Sequence, residues 1–293
     1  MKILMISAHF DLLHDTIPVG GVQTHISKVS AALRQCGHDV MWSYPGVTAV
    51  PGTTALVDIQ SGLDWADAVV MHDFCSWQNT AKKNLVVFHG WEGQCPPASA
   101  VISRRQAIAQ MAGATIAVGQ FILKWYQHTA DEVIWGAADP PSPGEPTLQV
   151  PGRAVYVGRL EPDTGCMEAI KSAVAQGFEV HVYGDGSLHV PLEQWRDSTP
   201  GARVVLYGFV PNAAQFFATA SLALPSGYLT YLEALIRRRP CAVVATNPLK
   251  VDYWGMHPYP PSPVPAWFSA WDWARKQTWS HVADIYENLL GRQ

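Results

Sequence analysis

The feature that most constrains this chain is an alternation that runs, stops at a proline-dense stretch, and runs again. Short β-rich apolar runs, expected as strands at residues 2–7, 39–44, 66–72, 84–90, 114–119 and 131–136, are separated by helical patterns. The clearest helix has Val22, Ile26, Val29 and Leu33 on one face, with Gly37 placed to end it. Ala138-Asp139-Pro140-Pro141-Ser142-Pro143-Gly144-Glu145-Pro146 carries no apolar period and reads as a linker. The alternation then restarts, with strands expected at 154–158, 179–184, 203–208, 221–224 and 241–246 and helices at 165–176, 213–220 and 229–237. Apolar strands bounded by helices imply parallel sheets covered on both faces and right-handed connections. The expectation is α/β: two Rossmann-like, doubly wound domains facing across a cleft. The first spans 1–140, a linker 141–152 and the second 153–258, and a tryptophan-rich helical tail, 259–293, packs back across them. In the tail Trp267, Trp271, Val282, Ile285 and Leu289 fall near one side, which suits packing; exposed, they would mark a partner or acceptor surface.

At 293 residues the chain suits two domains of about 150 residues each. A 48% hydrophobic and 15% charged composition leaves ample core and no long disordered segment. The net charge of −4 argues against a broad nucleic-acid surface. Arg237-Arg238-Arg239 remains as a local basic patch, or as a solvated helix end favoured by the dipole. The five cysteines are scattered and never form C-x-x-C, so a disulfide framework and a zinc site are both disfavoured, and a reduced, cytoplasmic setting is expected. The apolar start is too short for a signal peptide, and no run reaches the roughly 18 apolar residues of a membrane span.

The chemistry is expected at strand ends, where ligands of doubly wound sheets bind. In Leu224-Pro225-Ser226-Gly227-Tyr228-Leu229-Thr230-Tyr231-Leu232-Glu233 a strand meets a turn and then a helix. Backbone N–H groups at such a helix start suit phosphate, and Glu233 suits the hydroxyls of an attached ribose, so the stretch reads as a nucleoside-diphosphate site. Arg159, after the strand ending in Val157-Gly158, is placed to neutralise a departing diphosphate, although a surface arginine reads the same way. Gly184-Asp185-Gly186 is a turn that brings backbone near a ligand. Gly20-Gly21 opens the first long helix without the G-x-G-x-x-G spacing and equally suits a plain tight turn. His89, before Gly90-Trp91, sits at a strand end, where an imidazole is either structural or functional. Metal-ligand spacings, a P-loop and G-x-S-x-G are all missing, so no metal or other cofactor is expected.

In order, these segments resemble the GT-B glycosyltransferases, in particular the large retaining family GT4. The residues that carry the likeness are Gly20-Gly21-Val22-Gln23-Thr24-His25 with Gly37-His38-Asp39-Val40, then Val118-Gly119-Gln120-Phe121 and Val133-Ile134-Trp135-Gly136-Ala137-Ala138-Asp139. In the second half they are Val157-Gly158-Arg159-Leu160, Gly184-Asp185-Gly186, Gly208-Phe209-Val210 and Pro225-Ser226 with Glu233-Ala234-Leu235. The resemblance implies transfer of a sugar from a UDP- or GDP-sugar with retention, without a metal, by orientation and charge stabilisation. It implies that Arg159 contacts the diphosphate and Gly21 the phosphate from the first domain, that Glu233 binds the ribose, and that His89 lies near the transferring sugar. Catalytic roles then fall to His89 and Arg159, with Gly184, Ser226, Gly227, Tyr228, Leu229 and Thr230 completing the donor site. His9, His14, His25 and Trp91 are expected on the acceptor side, with walls at 9–19 and 91–105.

Three departures qualify the likeness. Thr164 stands where the family has a lysine, the Pro225–Glu233 interval is about four residues short and lacks the family's first glutamate, and arginines replace the small residue before Pro240. A non-catalytic nucleotide-sugar or glycan-binding relative and a GT-B-type nucleotide-sugar epimerase therefore stay open as alternatives. The sugar, the base, the oligomeric state and the acceptor, whether lipid, glycan, small molecule or modified nucleic acid, are not legible; peripheral membrane association stays open.

Overall fold

The computed structural model describes residues 1–7, 12–13, 17–18, 20–43, 58–73, 82–90, 95–262 and 267–292. Two compact units emerge: Met1–Trp135 together with Trp279–Gln293, and Gly136–Thr278.

In the first unit β1 (Lys2–Ser7) leads through a two-residue antiparallel pair, β2 (Leu12–Leu13) and β3 (Ile17–Pro18), into α1 (Gly21–Gln35). Then follow β4 (Asp39–Ser43), α2 (Ile59–Trp65), β5 (Ala68–His72), β6 (Lys83–Phe88), α3 (Ser99–Met111), β7 (Ala114–Val118), α4 (Gln120–Tyr126) and β8 (Glu132–Ile134). The strands form one parallel sheet in the order β4-β1-β5-β6-β7-β8. β5 and β7 are buried at every residue because helices cover both faces, which is why they read as unbroken apolar runs. On α1 the stripe Ile26, Val29 and Leu33 is fully buried, and the helix closes where Gly37, at φ +86°, donates to the Arg34 carbonyl and His38 to that of Leu33. The order reverses between β1 and β5, so the switch point lies at Ser7 and His72, which are register partners.

The second unit contains β9 (Arg153–Val157), α5 (Cys166–Ala175), β10 (Glu179–Tyr183), α6 (His189–Ser198), β11 (Val204–Leu206), β12 (Leu222–Pro225), α7 (Tyr228–Ile236), α8 (Pro248–Gly255) and α9 (Trp267–Ala274). Its parallel sheet runs β11-β10-β9-β12, over a core that includes Tyr156, Leu160, Ile170, Val180, Val182, Leu192 and Leu224. Its switch point is between β9 and β12, so the turns after Val157 and Pro225 meet there.

Several expected elements differ. Residues 213–219 form a 3₁₀ helix rather than an α-helix. Residues 241–246 contribute a single bridge, Ala223 to Cys241, because the chain then leaves the sheet to pack Val244 and Thr246 against Gly165. The proline-dense stretch belongs to the second unit: Glu145 there makes a bidentate ion pair with Arg237 at 2.6 and 2.8 Å. This also corrects the reading of the three arginines as a basic patch or solvated end. Arg237 is 7% exposed in its side chain, Arg238 stacks 4.2 Å from the Trp271 ring, and Arg239 bonds the Arg237 and Ala220 carbonyls. The tail is two helices, with α9 in the second unit and Trp279–Gly291 in the first. That C-terminal helix buries Val282, Tyr286 and Leu289 on the first unit, with His38 bonded to Glu287 at 2.6 Å and Lys83 to the Leu290 carbonyl at 2.9 Å.

Candidate functional site

In the second unit the turns at the carboxyl ends of the strands are laced by main-chain bonds that continue beyond the sheet. Gly158 donates to the Tyr183 carbonyl at 3.1 Å, Leu160 to Asp185 at 2.9 Å and Gly184 to Gly208 at 2.8 Å. The approach is so close that only glycine fits. A Cβ on Gly158 (φ +150°) would lie 1.9 Å from Ser226 Oγ, and one on Gly184 (φ +156°) 1.8 Å from the Gly158 oxygen. Glu161 ties the next turn by accepting from the Ser187 amide at 3.0 Å and from its hydroxyl.

This lacing displays Arg159. Its carbonyl accepts from Tyr156 Oη at 2.7 Å and Thr164 Oγ1 at 3.2 Å, while the guanidinium is about half exposed and paired with Asp163 at 3.0 Å. Thr164 also donates to the Glu161 carbonyl at 2.7 Å, so it closes the turn that follows Arg159.

The start of α7 differs from the expectation of free amides. Thr230 Oγ1 accepts from Ser226 N at 3.0 Å and Gly227 N at 3.2 Å, and Tyr253 Oη accepts from Tyr228 N at 2.7 Å. Of the residues expected to bind phosphate here, Ser226, Gly227 and Tyr228 thus have their amides bonded within the chain, with Thr230 as the cap. The Tyr228 and Tyr253 rings stack at 3.9 Å. Leu229 packs where a Cβ on Gly136 would lie 2.7 Å from its Cδ2. Glu233 is half-buried in the second turn, with its carbonyl held by Arg237 at 2.8 Å.

In the first unit three histidines gather at the switch point. His72 ends β5, His89 follows β6, and His25 comes from the second turn of α1. His72 Nδ1 and His89 Nε2 are 2.8 Å apart, His25 and His89 ring centroids 4.6 Å, and His25 Nε2 and Tyr286 Oη of the C-terminal helix 2.8 Å. Behind them Asp73, at φ 52°, accepts from the His89 amide at 2.7 Å. Arg105, fully buried, donates to the Gly90 carbonyl at 2.7 Å and stacks 3.8 Å from the Tyr126 ring.

Burial holds all three imidazoles neutral. His89 is pushed down to about 3, by desolvation first and the Arg105 charge second, and His25 and His72 are lowered well below the usual value by desolvation and by the neighbouring imidazoles. Neutral imidazole is a hydrogen-bonding group able to accept a proton. Among the described residues no group of three or more His, Cys, Asp or Glu is arranged to hold a metal.

A pH dependence follows. Above the ordinary histidine value of 6.5 the cluster is neutral both folded and unfolded, so its stability is fully present. As pH falls below 6.5 the unfolded chain takes up protons that the fold refuses, and each such group costs about 1.4 kcal/mol per pH unit until its folded value is reached. Urea midpoints are expected to drop between pH 7 and 5, before most carboxylates titrate. His128 and His257 are also lowered by burial, so the cluster's share is read as the flattening of that slope in His72→Gln. An unchanged slope would contradict the assignment.

Gly20 (φ +103°) precedes α1, and a Cβ on Gly21 would meet nothing within 4 Å. His9, His14 and Trp91 lie outside the described residues, as do most of the first expected acceptor wall, 9–19, and the start of the second, 91–94. Sequence reasoning did not single out His72, Asp73, Arg105, Tyr286, Lys250 or Tyr253. Only His72 had a signal, as a second histidine ending an apolar strand.

No family model matches the chain, and no curated protein matches its sequence. Solved structures do. AviGT4, a glycosyltransferase involved in avilamycin A biosynthesis, is similar with a TM-score of 0.64 at 14% identity, over 99% of this chain and 97% of that one. A glycosyltransferase from Rickettsia africae gives 0.63 at 13%, over 100% and 99%, and Anabaena HepE, solved with UDP and glucose, gives 0.62 at 14%, over 99% of both. The fold they share with this chain is GT-B, with two Rossmann-like domains.

Proposed function

We propose that this chain is a glycosyltransferase that moves a sugar from a UDP- or GDP-sugar to an acceptor with retention of configuration and without a metal, in the manner of GT4. The second unit takes the donor and the first the acceptor. The observation that carries the reading is the glycine-laced set of turns at the β9–β12 switch point, which holds Arg159 out beside the start of α7. In this reading Arg159 neutralises the departing diphosphate, Glu233 receives the ribose, Gly184 and the Ser226–Thr230 turn shape the pocket, and His89 acts on the acceptor side. A reduced, cytoplasmic setting is part of this proposal; among the described residues no helix is long and apolar enough to cross a membrane.

Scanning calorimetry with UDP and GDP tests this. At 100 times its Kd a ligand is expected to add about 2.7 kcal/mol of stability. No shift with any nucleoside diphosphate, alone or sugar-linked, would remove the donor reading. A non-catalytic binding role is the second reading, favoured by the bonded amides of Ser226, Gly227 and Tyr228. It predicts the same shift with no nucleoside diphosphate released from any nucleotide sugar.

A further inference from the structure

Lys250 is the third residue of α8, where Asn247 Oδ1 caps the helix by accepting its amide at 2.9 Å. The residue is only 7% exposed, and its Nζ has no hydrogen-bond or ion-pair partner among the described residues. It lies 4.4 Å from the Tyr253 ring centroid. A ring face attracts an ammonium, yet it does not satisfy three N–H donors.

The surroundings say what would satisfy it. The chain leading to α8 passes over Gly165, where a Cβ would meet Thr246 at 3.1 Å and the Val244 carbonyl at 3.3 Å, so the segment just before α8 lies against the turn that follows Arg159. Burial lowers the proton affinity of Lys250, Asp163 raises it and Arg159 lowers it, so both side chains lie within electrostatic reach. Asp163 is already paired with Arg159 at 3.0 Å. On the other side, the Tyr253 hydroxyl that accepts from Tyr228 N connects Lys250 to the positive end of the α7 dipole. Two cations, Arg159 and Lys250, thus share the field of one carboxylate, Asp163. Thr164, with its hydroxyl turned onto the Glu161 and Arg159 carbonyls, adds no charge there.

We propose that Lys250 is an anion-binding residue and that, together with Arg159, it holds the diphosphate of the nucleotide sugar. The inference deepens the donor reading and rests on it. Lys250 supplies from α8 a charge that the turn after β9 lacks. As a compact, rotatable donor it complements the planar guanidinium.

The test is calorimetric titration of the full chain with pyrophosphate, UDP and GDP, in the wild type, Lys250→Met and Lys250→Arg, with the unliganded melting temperature of each. Lys250→Met is expected to weaken pyrophosphate and nucleoside diphosphates by about 10- to 100-fold, the range for a charge-assisted bond, and Lys250→Arg to recover part of the loss. Wild-type affinity in Lys250→Met, with or without a lower melting temperature, would overturn the proposal and leave Lys250 a packing partner of Tyr253. Nucleotide binding that ignores Lys250 would sink this inference alone. Pyrophosphate binding that needs Lys250, without any nucleotide binding, would sink the donor reading and keep the anion site. No binding of any of the three would sink both.

Discussion

Gly184→Ala is expected to destabilise the second unit by more than about 3 kcal/mol and to abolish nucleotide binding. Two independent penalties act at this position. At φ +156° the backbone lies in a region reserved for glycine, and the new methyl would sit 1.8 Å from the Gly158 oxygen, which is backbone and has no rotamer to escape into. Relief requires the turn after β9 to move, which would break the Gly158–Tyr183 and Leu160–Asp185 bonds and carry Arg159 out of place. Scanning calorimetry and titration of the same sample separate the two losses. A variant with wild-type melting and binding would mean that the turns are not packed as described. Gly177→Ala is the natural comparison: its φ of +89° carries backbone strain, but nothing lies within 4 Å of an added Cβ, so a smaller cost of about 1 kcal/mol is expected.

In the first unit, Arg105→Leu is expected to cost about 3–5 kcal/mol, the range for removing one partner of a buried ionic pair. Arg105 is fully buried, donates to the Gly90 carbonyl, lies 3.9 Å from Asp73 and covers the Tyr126 ring. Leucine keeps much of the volume but abandons the carbonyl and the carboxylate. The Asp73 carboxyl is already raised by burial, a tendency that Arg105 and the amides of His89 and Gly90 oppose, so without Arg105 it protonates more readily. The melting temperature should fall by about 10 °C for a domain of this size. The strand end that carries His89 should loosen with it, read as faster hydrogen exchange at the His89 and Gly90 amides. A fall of less than about 1 kcal/mol would show that packing against Tyr126, not the ion network, holds this strand end.

The fold was largely legible because buried parallel strands leave unbroken apolar runs: every expected strand of the first unit lies within two residues of an observed one. Elements whose signal is tertiary escaped. α3 (Ser99–Met111) has no clean apolar stripe, and of its residues only Arg105 and Ile108 are buried. The strand expected at 241–246 has the right composition, but packing against Gly165 draws it off the sheet after one bridge. In the candidate sites, Arg159 and His89 could be named because strand ends are fixed by sequence. His25 was named for its motif, but its burial against Tyr286, 261 residues away, was not legible. Lys250 shows the limit most clearly, since a lysine near a helix start reads as solvated until the fold brings Tyr253 and the turn of Arg159 around it.

A nucleoside-diphosphate site built on Arg159 makes binding of UDP or GDP depend on that one guanidinium. The most direct measurement is calorimetric titration of UDP and GDP into the wild type and Arg159→Ala. The half-exposed guanidinium makes no buried contact, so the variant should melt with the wild type. Saturable binding of one of the two nucleotides, weakened by about 10- to 100-fold in Arg159→Ala at an unchanged melting temperature, is the predicted result. Equal affinity in both proteins, or no binding of either nucleotide to the wild type, would contradict it.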